Sequence, residues 1–228
     1  MKVEIWSDVA CPWCHIGKRR FEAALERFAH TDDIDVEWKS FELDRSAHAQ
    51  QADGAEGDYA DRLASKYGIS RTQAQAMLDS MTATGTAEGL DFRFDKAVKA
   101  NTFDAHQVIH LGGDRGIQGS VKERLLRAYF TEGEDIGDRS VLVRLGAEAG
   151  LDADEVRQVL DEQRYADAVR ADESEAARLG VSAVPFFVVD RKYGIAGAQP
   201  AEQILAVLEQ SWLQAPLLKQ GQEGAVGR

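Results

Sequence analysis

The sequence predicts an α/β protein in which a small sheet, built from both ends of the chain, is interrupted by a long all-helical segment. Two observations predict the sheet: runs typical of strands lie before residue 40 and after residue 180. A third predicts the insertion, because the stretch between them repeats apolar residues at helical spacing, with glycines as stops. With 228 residues, 44% of them hydrophobic, the chain is long enough to bury a core shared by both parts.

The amino-terminal part predicts a strand, a helix and a second strand. Residues Lys2–Trp6 alternate in polarity, and Ile34–Lys39 repeat the pattern. Between them, Cys14–Phe28 carry apolar side chains at helical spacing. A strand, helix and strand in this order form a right-handed unit with parallel strands.

The middle of the chain predicts helices. Residues Asp44–Gly57 have little apolar content and indicate an exposed connection. Ser70 and Gln73 form the signature of a capping box, and the helix that follows is expected to end at Gly85 and Gly89. The further predicted helices are Thr102–Leu111, Val121–Phe130, Ser140–Ala149, Ala153–Gln163 and Tyr165–Leu179, with Gly112, Gly133, Gly150 and Gly180 as stops.

The carboxy-terminal part returns to strands. Val184–Val189 predict a short buried strand led by a proline, Tyr193–Ala196 a hairpin partner, and Pro200 opens a final helix. This order is that of a thioredoxin-like fold with an all-helical insertion. We assign residues 1–43 and 181–213 to the thioredoxin-like core, 44–180 to the helical lobe and 214–228 to a flexible tail.

The charge and the apolar pattern exclude several classes of partner. A formal net charge of −12 without a basic cluster opposes binding to nucleic acid. No apolar stretch is long enough to span a bilayer, and Met1–Trp6 alternate in polarity rather than forming a signal sequence. We therefore expect a cytoplasmic protein without a nucleic-acid or membrane partner.

The two cysteines lie three positions apart, in Cys11-Pro12-Trp13-Cys14, at the predicted junction of strand and helix. Free N–H groups and the positive end of the helix dipole favour a thiolate at Cys11. Disulfide exchange needs a second thiol to break the mixed disulfide, and Cys14 is suitably placed. Pro12 suits the first helical turn because its missing N–H has no partner there.

Three neighbours bear on this chemistry. Asp8 would disfavour the thiolate if it pointed at the sulfur, but a solvated turn or cap residue is the preferred interpretation. Trp13 is either an apolar docking surface for a substrate or a partly buried ring, and both interpretations stay open. For Val184-Pro185 we favour a cis peptide facing the thiols, which leaves the Val184 backbone free to pair with an extended substrate.

Metal binding is the alternative for the cysteine pair. C-x-x-C is also half of a zinc site, and His106 with His110 could complete it. However, a redox pair requires a strand before it and a helix after it, whereas zinc knuckles usually lie in glycine-rich turns. We expect no metal.

Several motifs together resemble the DsbA family of oxidoreductases, and more closely its cytoplasmic FrnE-type branch. The resemblance runs from about Lys2 to Trp212 and includes S-D-V-A-C-P-W-C, A-N-T-F-D-A-H at 100–106, Tyr129-Phe130 and V-P-F-F from Val184. It implies a nucleophilic Cys11, a resolving Cys14, a cis Pro185 beside them, and a helical lobe that shapes a substrate groove. Pro12, Trp13, Val184 and Pro185 are the expected substrate contacts.

The residues between the cysteines differ from those of periplasmic members, which have Pro-His. A histidine can support a thiolate by charge, whereas an indole carries none. Strong oxidising behaviour is therefore not expected, and in a reducing cytosol the dithiol would reduce or isomerise disulfides of proteins or of small molecules. No tightly bound cofactor is expected; glutathione is a candidate redox partner, and the oligomeric state stays open.

Two rival functions stay open. Glutathione-dependent isomerases of the 2-hydroxychromene-2-carboxylate type and kappa-class glutathione transferases share the helical insertion, but they typically carry serine in place of the dithiol. In that case Asn101 and His106 would line a pocket; otherwise they are a cap-adjacent amide and a half-buried imidazole. A chaperone-like binding protein with incidental thiols is the other alternative.

Overall fold

The computed structural model describes residues 1–47 and 57–223, with side chains described up to residue 214. The chain begins with strand β1 (Lys2–Ser7), helix α1 (Pro12–Arg27), a 3₁₀ turn (Thr31–Asp33) and strand β2 (Asp35–Ser40). The helical segment contains α2 (Tyr59–Tyr67), α3 (Arg71–Ala87), α4 (Phe103–Asp114), α5 (Gln118–Arg127), a π-helical turn (Ala128–Glu132), α6 (Arg139–Glu148), α7 (Ala153–Glu162) and α8 (Ala166–Arg178). The chain then returns to the sheet with β3 (Phe186–Val189), β4 (Tyr193–Ala196) and α9 (Ala201–Glu223).

In the part of the chain that the structure describes, strands β1 to β4 form one mixed sheet in the order β2-β1-β3-β4. Strand β1 pairs in parallel with β2, Val3 opposite Val36, and antiparallel with β3, Ile5 opposite Phe187. Strands β3 and β4 form the antiparallel hairpin. The predicted α/β class, a thioredoxin-like sheet interrupted by helices, is confirmed.

Strand β1 is central and is buried from Val3 onward. Glu4 is nevertheless buried on it, and its carboxylate is bound by Arg191. The Trp6 indole N–H donates to the Asp172 carbonyl in α8 at 2.9 Å. Helices cover both faces, so Glu4 and the Trp6 indole find their partners within the protein, whereas the buried Ser7 hydroxyl has none among the described residues.

The helical segment is bound to the edge of β2. The Gln118 side-chain amide of α5 accepts from the Trp38 N–H at 2.8 Å and donates to the Trp38 carbonyl at 3.0 Å, as a neighbouring strand would. On α8, Asp172 accepts from the Ser40 N–H at 2.9 Å. These contacts satisfy backbone groups that an edge strand otherwise exposes, and they seat the insertion directly on the sheet.

The capping box forms as predicted, since the Ser70 and Gln73 side chains each bond the other's backbone N–H. Two predicted helix ends are wrong: Gly85 and Gly112 lie inside α3 and α4. A Cβ on Gly112 would lie 2.8 Å from Val121, and one on Gly85 would lie 2.6 Å from Phe92. Both glycines therefore allow close packing rather than chain reversal.

The other predicted stops are in place: Gly89, Gly133, Gly150 and Gly180 follow helices with φ of 75°, 76°, 106° and 74°. The helix predicted over Val121–Phe130 starts earlier and gives way to the π-helical turn. Residues 48–56 of the predicted connection lie outside the described residues, as do residues 224–228 of the predicted tail; the backbone of α9 runs to Glu223. In the described ranges, no helix combines the length and the apolar character needed to span a membrane.

Candidate active site

Cys11 is the N-cap of α1, with extended backbone angles of φ −101° and ψ 111°. Pro12 begins the helix, and its ring fixes φ without removing a needed donor. The Cys14 N–H donates to the Cys11 carbonyl at 3.0 Å. As the N-cap residue, Cys11 places its sulfur at the positive end of the helix. The sulfur makes no capping hydrogen bond to the helix backbone.

The two thiols are free and contact each other, yet their surroundings differ. Cys11 is 5% exposed and borders a cavity, whereas Cys14 is fully buried behind it. Burial, followed by the hydrogen bond with Cys11, raises the pKa of the Cys14 thiol well above its ordinary value. The arrangement therefore has an outer thiol open to a substrate and an inner thiol that stays protonated at rest.

The Val184–Pro185 segment lies directly against the pair. The Val184–Pro185 peptide bond is cis. The Cys11 thiol donates to the Val184 carbonyl at 3.6 Å, and Val184 borders the same cavity. Pro185 is buried against α1, where a Cβ on Gly17 would lie 2.7 Å from the Pro185 Cγ. The absent side chain of Gly17 thus sets how closely this loop approaches the thiols.

Asp8 differs from the solvated residue that the sequence favoured, since it is only 1% exposed. Its carboxylate accepts from the Leu43 N–H at 2.8 Å and from the Ala10 N–H at 3.3 Å, and it lies 3.4 Å from the His106 Nε2. Burial alone would raise the pKa of Asp8, but these contacts and the charge of Lys122 hold it below its ordinary value. The buried Asp8 carboxylate thus provides a hydrogen-bond acceptor for the backbone N–H groups of Ala10 and Leu43.

Lys122 of α5 is a functional candidate that the sequence analysis missed. It is 1% exposed, and its Nζ donates to the Ser7 carbonyl at 3.3 Å and lies 5.8 Å from the centre of the Trp38 ring. Burial lowers its pKa to about 8, against the opposing influence of Cys14, Asp8 and Cys11. One signal was present: Lys122 interrupts an apolar helix face between Val121 and Leu125.

Asn101 and His106, expected as pocket residues, lie behind the cavity wall. The Asn101 side-chain oxygen accepts from the Phe103 N–H at 2.9 Å, which caps the start of α4. His106 is buried against Asp8, and the wall is formed by the neighbours Ala100 and Thr102 instead. Asn101 therefore fits the cap-adjacent alternative, while His106 is more deeply buried than expected.

The two histidines do not meet the cysteines in a metal-binding group. His110 lies 3.1 Å from both the Ser40 hydroxyl and the Asp172 carboxylate, a different carboxylate from that of His106. Within the described parts of the chain, no three histidine, cysteine or acidic side chains are grouped to hold a metal ion.

A cavity of about 1220 Å³ opens beside Cys11 between the sheet end and helices α2 and α3. Among the described residues, the large exposed apolar side chains that border it are Trp13, which is 41% exposed, Leu43, Tyr67 and Met77. Its polar lining includes Arg62, Lys66, Lys99, Glu42, Asp44 and Asp61. Apart from Trp13, the sequence analysis identified none of these groups, because the cavity is formed only when α2 and α3 fold over the sheet.

Comparisons with known proteins agree with this architecture. The sequence model for the DSBA-like thioredoxin domain matches residues 2–209. The chain is 46% identical to a probable DsbA oxidoreductase from Streptomyces coelicolor, whose crystal structure superimposes with a TM-score of 0.83 over 93% of this chain and 90% of that one.

Two more distant structures share the fold. The cytosolic disulfide reductase DsbM from Pseudomonas aeruginosa, solved with GSH, has a TM-score of 0.64 at 20% identity, over 93% of this chain and 99% of that one. A 2-hydroxychromene-2-carboxylate isomerase has a TM-score of 0.66 at 14% identity, over 98% of both chains.

Proposed function

Because the chain belongs to the DSBA-like thioredoxin domain family, we propose that it is a thiol-disulfide oxidoreductase that reduces or isomerises disulfides through Cys11 and Cys14. The observation that carries the proposal is the asymmetry of the pair: Cys11 caps a helix at the edge of a large cavity, and Cys14 is buried directly behind it. An attacking thiol that a substrate can reach from the cavity and a shielded resolving thiol are what exchange through a mixed disulfide requires.

Reduction of a substrate proceeds in two exchanges. The Cys11 thiolate attacks one sulfur of the substrate disulfide; the Cys11–substrate bond forms, the substrate S–S bond breaks, and the departing sulfur takes up a proton. Cys14 then loses its proton and attacks the Cys11 sulfur; the Cys11–Cys14 bond forms and the second substrate thiol leaves. The substrate gains two electrons and the dithiol loses two.

The substrate is proposed to lie in the cavity, against the apolar side chains around Cys11. Pro12, Trp13 and Val184 border the cavity, and Pro185 holds the Val184 backbone in place beside the sulfur. The Val184 backbone would pair with an extended segment on either side of the substrate cysteine. The lobe assigned to residues 44–180 supplies the opposite wall through Tyr67 and Met77.

Reduction or isomerisation in the cytoplasm is the proposed direction, as in the FrnE-type branch. Its support is the uncharged Trp13 between the cysteines and the similarity to a cytosolic disulfide reductase. Glutathione is the proposed reductant: two molecules would return the Cys11–Cys14 disulfide to the dithiol and leave as glutathione disulfide. Lys66, Lys99 and Arg62 on the cavity wall offer positive charge for its carboxylates.

The similarity to a 2-hydroxychromene-2-carboxylate isomerase makes glutathione-dependent isomerisation or transfer the second candidate. At 14% identity that similarity shows the shared fold, and the intact dithiol favours exchange.

The test compares the wild type with Cys11→Ser, Cys14→Ser and the double variant. Reduced wild-type protein is expected to reduce a fluorogenic peptide disulfide and to be turned over by glutathione. Cys11→Ser should be inactive, since the outer nucleophile is gone, whereas Cys14→Ser should accumulate a mixed disulfide visible by mass spectrometry.

Glutathione conjugation to an aryl halide is measured in the same preparations. Conjugation that persists in the double variant, together with no disulfide exchange by the wild type, would overturn the oxidoreductase proposal in favour of the second candidate.

A further inference from the structure

The proposed resolving step requires the buried Cys14 thiol to lose its proton. Cys14 must become a thiolate to resolve the mixed disulfide, but it is fully buried, and its neighbour Cys11 no longer carries a charge at that stage. An isolated anion in such a place is strongly disfavoured, so the protein has to supply compensating charge or hydrogen bonds. The Asp8 backbone is one such influence, since it lowers the pKa of the Cys14 thiol against the larger effect of burial.

Lys122 supplies a positive charge at the same place. Its side chain runs from α5 of the helical segment to the end of β1, where its Nζ donates to the Ser7 carbonyl at 3.3 Å. Its charge acts on Cys14 and, more weakly, on Asp8 and Cys11, while Lys18 opposes it. The described residues place no carboxylate in ion-pair contact with it, although lysines are almost never buried unpaired.

A second buried lysine, Lys18, differs from Lys122 in how its charge is compensated. Lys18 is also buried and lies on the same helix as Cys14, but its Nζ lies 2.8 Å from a Glu123 oxygen and also contacts Glu22. Its charge is therefore already compensated. Lys122 has a carbonyl and an aromatic ring as its immediate partners, which leaves its charge available to a sulfur anion.

We propose that Lys122 is a positioning residue for the resolving step, whose buried ammonium group stabilises the Cys14 thiolate as it attacks Cys11. The inference rests on the proposed function and assigns to the helical segment a part in the chemistry of the dithiol. Asp8, held by His106 and the Leu43 N–H, also favours the charged form of Lys122. The groups that face Lys122 are thus Asp8, Cys11, Cys14, Lys18 and the Trp38 ring.

A single-turnover reaction of the reduced protein with 5,5′-dithiobis(2-nitrobenzoate) separates the two exchanges. Attack by Cys11 releases the first thionitrobenzoate at a rate that depends on reagent concentration. Attack by Cys14 on the resulting mixed disulfide releases the second thionitrobenzoate at a rate that is independent of reagent concentration. The second rate, measured between about pH 5 and pH 10, reports the ionisation of Cys14 in the mixed disulfide.

Lys122→Met is expected to shift the midpoint of the second rate upward by about one pH unit, which slows it about tenfold below the midpoint. The plateau at high pH should stay near that of the wild type, because Cys14 is then ionised without help. Lys122→Gln, which keeps a donor for the Ser7 carbonyl but not the charge, should behave like Lys122→Met. Lys18→Met is the matched control and should keep the wild-type midpoint.

Three results would overturn the inference: an unchanged midpoint in both Lys122 variants, a lowered plateau without a shift, or an equal shift in Lys18→Met. Circular dichroism and urea unfolding establish that each variant is folded, and a failure of Lys122→Met to fold leaves Lys122→Gln to decide. A wild-type protein that shows both phases but reduces no disulfide substrate would instead contradict the proposed function, so the two failures are distinguishable.

Discussion

Asp8 and Lys122 are charged side chains buried in the protein interior, a position that apolar side chains usually occupy. Asp8 meets two backbone N–H groups and His106, so its burial is well compensated. Lys122 has poorer compensation, and burial lowers its pKa to about 8 from 10.5. A buried group whose pKa is shifted in this way close to a reactive pair is a candidate for a functional role.

Lys122→Met is accordingly expected to stabilise the protein at pH 7, by on the order of 1–3 kcal/mol. The folded state binds the Lys122 proton less tightly than the unfolded state does, so the penalty is fully present below pH 8. As the pH rises from 8 to about 10.5, only the unfolded state still holds that proton, and wild-type stability increases. The difference in free energy of unfolding between Lys122→Met and the wild type should therefore become smaller over this pH interval.

Urea unfolding of both proteins at about pH 7 and pH 9.5 checks this expectation, because all other titrating groups are common to the two proteins. A Lys122→Met variant that is less stable than the wild type at pH 7 would show that the ammonium group is well compensated in the folded protein.

Helix α1 carries the two cysteines, and Gly17 allows it to pack closely against Pro185. Gly17→Ala removes a helix-interior glycine, which alone would stabilise by about 0.5–1 kcal/mol. However, its Cβ would lie 2.7 Å from the Pro185 Cγ and 3.4 Å from the Pro185 Cβ. Overpacking of this kind costs about 1–3 kcal/mol, so we expect a net loss of roughly 1 kcal/mol together with slower disulfide exchange.

Gly119→Ala is the matched control on α5, because the nearest atom to its Cβ would be the Trp38 Nε1 at 3.9 Å. Gly119 lies in the first turn of α5, so Gly119→Ala should raise the free energy of unfolding by at most about 0.5–1 kcal/mol, measured by urea unfolding, and leave disulfide exchange unaltered. If the two alanine variants had equal stability and activity, the close approach of Pro185 to α1 would not matter for the site.

The helical segment and the thioredoxin-like core share one apolar interior, in which Ile16 and Phe187 of the core belong to the same cluster as Leu125 and Phe130 of the lobe. Across this boundary, Glu123 of α5 lies 2.8 Å from the Lys18 Nζ, contacts Arg19 and lies 3.5 Å from the His15 Nε2. Burial alone would raise the pKa of Glu123, but these partners hold it below its ordinary range. The two parts should therefore unfold together.

Glu123→Gln is expected to destabilise the whole molecule by about 1–2 kcal/mol at pH 7. The folded-state pKa is depressed, so this contribution is complete above the unfolded value and is lost as the pH falls from roughly 5 towards 2. The difference in free energy of unfolding between Glu123→Gln and the wild type, measured by urea unfolding, should become smaller as the pH falls.

Glu22→Gln is its control, because Glu22 pairs with Lys18 and Arg19 within the same helix and its side chain is 42% exposed. Its loss should cost less than about 0.5 kcal/mol. A Glu123→Gln effect no larger than this would mean that the apolar interior alone couples the two parts.

Local pattern was enough to predict the class of the fold and the position of the dithiol. Alternation identifies β1 and β2, a proline-led apolar run identifies β3, and the C-x-x-C between strand and helix identifies Cys11 and Cys14. These features depend on neighbours in sequence, for which period and propensity are sufficient. Gly85 and Gly112 were misinterpreted as helix ends because a glycine that ends a helix and one that admits a close neighbour look alike in sequence.

Only the tertiary structure decided which distant groups surround the sulfurs. Asp8 is buried because Leu43 and His106 close over it, and Lys122 reaches the end of β1 from more than a hundred positions away in the chain. Exposure and charge compensation are properties of packed surroundings, and no periodicity encodes which side chain will face an anion. The sequence therefore specifies the reactive pair, whereas the folded lobe specifies the electrostatic environment in which the pair works.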